Sequence, residues 1–220
     1  MGIDLKYKTY NHLDNLINRY EKISSIKDDI SNAFELLKDC YTKGGKLLIA
    51  GNGGSASDSQ HIVGELMKSF VLKRSVPDEL SKRLVEINPD RGRELSERLE
   101  VGLPAIALSS QDALSTAYIN DVYADGVFAQ QVLGYGKVED VYLGISTSGN
   151  SKNIICGAIV AKAKGMKTIG LTGETGGSLM KLSDICICVP EIETYKIQEL
   201  HLPIYHCLCM MLEEELFGED

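Results

Sequence analysis

The sequence predicts an α/β fold in which a parallel sheet is covered by helices on both faces. Two observations carry that prediction. Five short apolar runs are each bounded by turn signals, and stretches of helical periodicity separate most of them. With 220 residues, the chain fits one compact domain with a substantial core.

The elements follow in order. Residues 1–45 read as N-terminal helices. Leu13, Leu16, Ile17 and Tyr20 recur at helix spacing, Ile26, Ile30, Phe34, Leu37 and Tyr41 do so again, and Gly44 and Gly45 stop the pattern. Lys46 to Ala50 is the first strand, followed by a Gly/Ser loop and a helix from about Ser57 to Phe70. The other strands are Ala105 to Leu108, Val141 to Ile145, Thr168 to Thr172 and Ile185 to Val189, and a long helix runs from about Thr194 to Phe217. Val71 to Gly102 breaks the rhythm: it is dense in Lys, Arg, Asp and Glu, with Pro77, Pro89 and Gly92 as punctuation. It reads as a helical insertion over 71–102, one or two charged surface helices that need carry no chemistry.

A formal net charge of −8 argues against nucleic acid or an anionic membrane as the main partner. It does not oppose a small phosphate, which backbone N–H groups and a helix N-terminus hold locally. Met1 to Leu16 mixes charged and apolar residues and reads as neither a signal peptide nor a membrane span, so a cytoplasmic location is expected. On that basis the six cysteines are expected to be reduced, buried structural thiols. Neither Cys186/Cys188 nor Cys207/Cys209 has zinc-ribbon spacing.

Two loops carry the functional signal. Gly51-Asn52-Gly53-Gly54-Ser55-Ala56-Ser57 lies between a strand and a helix, where parallel sheets place their ligands. Glycine lets backbone approach an anion, and the helix N-terminus adds unpaired N–H groups. The loop lacks the GxGxxG dinucleotide spacing, and neither loop ends in the GK[ST] of nucleoside triphosphate sites. Ser146-Thr147-Ser148-Gly149-Asn150-Ser151 repeats the design after another strand and supplies four hydroxyls. One hydroxyl cluster is explained by helix capping alone. Two such loops on one sheet point to a phosphomonoester site.

His61 and Glu65 stand four apart on the helix leaving the first loop and share a face. They are either an exposed polar pair or, with the helix starting at a phosphate site, a metal-binding or acid–base pair. Gln198, His201 and His206 lie among apolar residues of the final helix, where a histidine is more often a core residue than a ligand.

Gly51 to Ser57, His61, Glu65, Leu143 to Ser151, and Gln198-Glu199-Leu200-His201 with His206 together resemble the sugar isomerase (SIS) domain family. Within it the chain is most similar to sedoheptulose 7-phosphate isomerases, also called phosphoheptose isomerases. The resemblance covers nearly the whole chain except 71–102, which the shorter family members lack. It implies a single SIS domain, a five-stranded flavodoxin-like three-layer sandwich, and isomerisation of sedoheptulose 7-phosphate to D-glycero-D-manno-heptose 7-phosphate through an enediolate. It places substrate against Asn52, Gly53, Gly54, Ser55, Glu65, Asn120, Asp121 and Gln198, and phosphate against Ser146, Thr147, Ser148 and Ser151. It puts one zinc ion (Zn2+) on His61, Glu65, Gln198 and His206, with Glu65 and His206 as the acid–base pair. Tyr195 stands where some members have an Asp, which leaves the role of that Asp without a counterpart here.

Two rivals remain at this stage: an isomerase of another phosphosugar, and a non-catalytic SIS-domain adapter of the bacterial replication initiator, resembled by Ala105 to Gln131. Those adapters lack the Glu and His that this chain has at 65 and 206. Gln198 and His206 are eight residues apart, about 12 Å along a straight helix. A bend at Pro203 would shorten that gap. Sites completed by neighbouring subunits are the simpler expectation, and the resemblance implies a homotetramer.

Overall fold

The computed structural model describes residues 5–218; the first four residues of the Met1–Leu16 stretch, and the last two of the chain, lie outside the described residues. Helix α1 (Leu5–Arg19) and a short 3-10 segment lead into α2 (Lys27–Thr42), and Gly44, at φ +76°, turns the chain into the sheet. The strands are β1 (Leu47–Ala50), β2 (Ala105–Ala107), β3 (Val141–Ser146), β4 (Lys167–Thr172) and β5 (Ile185–Cys188). All pairings are parallel, in the order β2-β1-β3-β4-β5. From β1 the chain crosses to one side for β2 and returns to the other for β3. The carboxyl ends of β1 and β3 therefore flank the point where strand order reverses, the place such sheets bind ligands. Both Gly/Ser loops leave from there.

The alternation of side chains along each strand builds two cores. Leu47, Ile49, Val141, Leu143, Ile145, Ile169 and Leu171 face one side, with α2, α3 (Gly54–Met67) and α10 (Thr194–Phe217). Leu48, Ala50 and Tyr142 face the other, with α7 (Val127–Tyr135), α8 (Lys152–Ala163) and α9 (Gly177–Leu182). The expected three layers are present. The charged segment folds as two helices, α4 (Asp78–Ile87) and α5 (Pro89–Arg98); α4 buries none of its residues and α5 only Gly92. Helix α6 (Asp112–Asp121) precedes α7.

The expected boundaries hold within a residue for all five strands, and α10 matches at both ends. The start of α3 does not: the helix opens at Gly54, three residues before Ser57, so Ser55 sits in its first turn. It also ends at Met67, short of Phe70. Half of the thiol expectation is corrected. Cys40, Cys207 and Cys209 are buried, whereas Cys156 lies on α8 and Cys186 and Cys188 on the edge strand β5, and all three are only half-buried.

One charged pair is fully interior. Arg74 and Glu213 have side chains 1% exposed, with Nε 2.9 Å from Oε1. The Nε–H is not aimed in hydrogen-bond geometry, so this contact is an ion pair only. Glu213, on α10, instead accepts from the backbone N–H of Phe70 (2.8 Å), Val71 (2.7 Å) and Leu72 (2.9 Å). Arg74 donates to the carbonyls of Leu66 (2.8 Å), Glu65 (2.8 Å) and Lys68 at the end of α3. The pair thus satisfies orphan groups at a helix terminus and in the following chain, and ties the end of α3 to α10.

His201 is the core histidine expected of its position. It is fully buried on α10, with Nε2 3.3 Å from the Thr172 carbonyl and Nδ1 without a partner. Burial lowers its pKa from 6.5 to about 4. The unfolded chain binds the proton and the folded chain resists it. Stability is therefore complete above about pH 6.5 and lost as pH falls towards about 4. Urea midpoints measured across that range should fall, and His201→Asn should flatten the profile. A profile unchanged by the substitution would show that another group sets it.

Candidate active site

The two loops are joined by a reciprocal amide pair. Asn52 Nδ2 donates to Asn153 Oδ1 and Asn153 Nδ2 to Asn52 Oδ1, both at 2.9 Å. Asn153 was not singled out from the sequence. Gly53, at φ +55°, is the N-cap of α3, and the N–H groups of Ser55 and Ala56 donate back to the carbonyls of Asn52 and Gly53, both at 3.0 Å.

In the second loop, Ser151 holds the N-cap position of α8 but makes no capping bond. Its hydroxyl instead lies 3.0 Å from that of Ser146. Capping therefore does not account for this hydroxyl cluster. Gly149, at φ +64°, lets the loop turn, and its carbonyl accepts from Leu179 N at 2.9 Å. Asn150 braces the loop further: its Nδ2 donates to Ser148 O (2.9 Å), and its Oδ1 accepts from Ser178 N (3.0 Å). Ser148 is exposed, Thr147 and Ser151 are half-buried, and Ser146 is buried. A rigid frame thus presents hydroxyls at a helix start.

Between α3 and α10, where His61 is exposed and Glu65 and His206 half-buried, three of the four expected metal-binding residues meet within one chain. His61 Nε2 lies 3.2 Å from Glu65 Oε1 and 3.3 Å from His206 Nε2. Glu65 Oε2 faces Lys68 Nζ at 3.0 Å. Around them Phe70 and Tyr205 pack on the His206 ring, with centroids 5.4 and 5.0 Å away. Tyr205 Oη also reaches His61 Nδ1 at 2.9 Å and Asp58 Oδ1 at 3.3 Å. Burial and then the His61 ring push His206 below its ordinary pKa, with Glu65 opposing. A cavity of about 690 Å³ between α1 and α10 opens beside it, lined by His12, Arg19, Phe70, Pro203 and His206 among others. A slightly larger one, about 760 Å³, lies by β2 and touches none of these groups.

A tetrahedral ion with bonds of about 2.0–2.2 Å has ligand atoms about 3.3–3.6 Å apart. The His61–His206 separation of 3.3 Å reaches the lower edge of that range and the His61–Glu65 separation of 3.2 Å lies just under it, and two imidazoles with a carboxylate suit zinc. Among the described residues no group of three or more His, Cys, Asp or Glu is already gathered at metal-holding distances. The pairwise spacing comes close, but the cage is not finished. Gln198 stands apart from the trio, against Gly54, where a Cβ would lie 2.5 Å from its Nε2. Its place in this chain is beside the first loop. The expectation that one ion requires a neighbouring chain does not extend to Glu65 and His206, which one chain already brings together.

Asn120 and Asp121 are exposed at the end of α6 and bond to each other at 2.7 Å. Among the described residues neither side chain bonds to either loop. Asp125, just beyond, pairs with Lys152 at 4.0 Å and so brings this segment to the start of α8. Tyr195 is exposed at the first turn of α10.

Comparison with known proteins agrees with this architecture. The SIS domain family matches residues 81–173. The phosphoheptose isomerase of Sulfurimonas denitrificans is 36% identical over 99% of this chain and 93% of its own. Phosphoheptose isomerase 2 of Campylobacter jejuni is 41% identical over 86% and 82%. Among solved structures, a phosphoheptose isomerase from Francisella tularensis superposes with a TM-score of 0.72 at 31% identity, covering 96% of this chain and 98% of that one. The enzyme from Neisseria gonorrhoeae gives 0.68 at 32%, covering 93% and 97%. This chain is an isomerase and belongs to the phosphoheptose isomerase family of SIS-domain proteins.

Proposed function

We propose that the protein converts sedoheptulose 7-phosphate to D-glycero-D-manno-heptose 7-phosphate. The observation that carries this reading is the His61–Glu65–His206 cluster, in which α10 brings His206 to His61 and Glu65 of α3, the helix whose first turn belongs to a phosphate-type loop. From Gly54 to His61 the helix rises about 10 Å, comparable with the reach of a seven-carbon chain from its phosphate to its carbonyl end.

Ser55, Ser146, Thr147, Ser148 and Ser151 hold the phosphate with the N-termini of α3 and α8 behind it. Asn52, Gly53, Gly54 and Gln198 line the sugar, and Asn120 and Asp121 reach it from α6. Glu65 takes the proton from C1 of the ketose and returns it to C2, while His206 moves the hydroxyl proton from O1 to O2 across the enediolate. His61, Glu65 and His206 are the residues of this chain that would hold zinc, while Gln198 lies beside the first loop. When bound, the ion supplies positive charge for the developing oxyanion. The two oxygens of Glu65 face different neighbours, His61 and Lys68.

The working form we propose is a cytoplasmic homotetramer whose neighbouring copies complete the sugar site around the catalytic pair. No helix among the described residues is long and apolar enough to cross a membrane.

Purified protein should form aldose from sedoheptulose 7-phosphate, and a chelator should abolish that activity. Ser55→Ala combined with Ser148→Ala should raise KM and leave the fold intact. A protein with no turnover of this substrate, alongside turnover of another phosphosugar, overturns the substrate assignment. An unchanged KM in the double variant removes the phosphate role.

A further inference from the structure

We propose that Asp58 and Tyr205 form a relay that fixes the tautomer of His61, so that His61 carries its proton on Nδ1 and turns a bare Nε2 towards Glu65 and His206. The inference deepens the proposed function, resting on its reading of His61 as a ligand.

The argument is one of proton counting. Tyr205 is buried, 2% exposed, and its hydroxyl has a single proton to share between two neighbours, His61 Nδ1 at 2.9 Å and Asp58 Oδ1 at 3.3 Å. An ionised carboxylate only accepts. Asp58 Oδ2 is buried without a partner. If the hydroxyl donated to His61, neither oxygen of this half-buried carboxylate would have a donor, which is costly. The proton therefore goes to Asp58, and the Tyr205 oxygen accepts from His61 Nδ1–H. Hydrogen-bonded chains of this kind polarise one another.

The consequence lies on the other side of the ring. A neutral His61 protonated on Nδ1 leaves Nε2 as an acceptor, 3.2 Å from the acceptor Glu65 Oε1. Two acceptors at that distance repel unless a cation lies between them. The relay makes His61 a metal ligand by default and prevents it from donating to Glu65. Outer partners of metal-binding imidazoles act in this way generally.

The test uses ring nitrogen shifts from histidine-labelled, metal-free protein at a pH where the ring is neutral. The chain has four histidines, so His61 is assigned with one Asn variant. The expected result is the Nδ1–H form in the wild type and a shift towards Nε2–H in Tyr205→Phe, which removes one hydroxyl and keeps the ring packing. Zinc affinity from equilibrium dialysis should fall about 10–100-fold in the same variant. A wild-type His61 in the Nε2–H form overturns the relay without reference to any variant, as does a Tyr205→Phe spectrum with no change. If the tautomer is as stated but dialysis finds no zinc bound in the wild type, the relay stands and the ligand reading fails. If zinc binds equally in both proteins, the relay has no hold on the metal.

Discussion

Glu65→Gln and His206→Asn are each expected to lower turnover of sedoheptulose 7-phosphate by about 10²–10⁴-fold, the usual cost of losing a positioned acid or base. The two losses should differ in kind. Without the Glu65 carboxylate, exchange of carbon-bound hydrogen with deuterated solvent should disappear. Without His206, exchange at carbon should outlast net isomerisation, because the hydroxyl proton transfer is what has been removed. Both groups lie in one chain, so mixing the two variants under subunit exchange should restore no activity. Near wild-type rates in either variant would remove that residue from the mechanism, and recovery on mixing would place the pair across two chains.

Arg74→Ala and Glu213→Ala should each destabilise the protein by about 3–5 kcal/mol, because either leaves a fully buried charge without its partner. In a chain of this size that corresponds to a fall in Tm on the order of 10 °C. Replacing both residues with apolar side chains often relieves such a pair. Here it should not, since Glu213 accepts three backbone N–H bonds and Arg74 donates to three carbonyls that apolar residues cannot serve. Urea unfolding of the two single variants and the double variant measures this. A double variant as stable as the wild type would show that the backbone groups find other partners.

Much of the fold was legible because its signals are local. Each strand is a short apolar run bounded by turn signals. The start of α3 was hidden because Gly54 is a poor helix former placed in the first turn for the sake of the loop. The site divides the same way. His61 and Glu65 pair through helix spacing, and the two loops are visible as composition. Asn52 with Asn153, Tyr205 with His61 and Arg74 with Glu213 were not visible. Their partners are 101, 144 and 139 residues apart, and no single segment shows a pairing created by the order of strands and the docking of α10. The half-burial of Cys186 and Cys188 was hidden for a related reason: β5 reads as apolar, but lies at the sheet edge.

The docking of α10 has a consequence for the sequence of events during synthesis. A chain elongated only as far as Glu193 already contains both loops, the Asn52–Asn153 bridge and Glu65. It contains neither His206 nor Tyr205, nor the carboxylate that holds residues 70–72. Under the proposed roles, the residues assigned to phosphate are synthesised before those assigned to proton transfer, which wait for the last helix to settle against α1, α2 and α3. Under the same roles, turnover would require the last helix to be docked, whereas the loops assigned to phosphate precede it in the chain.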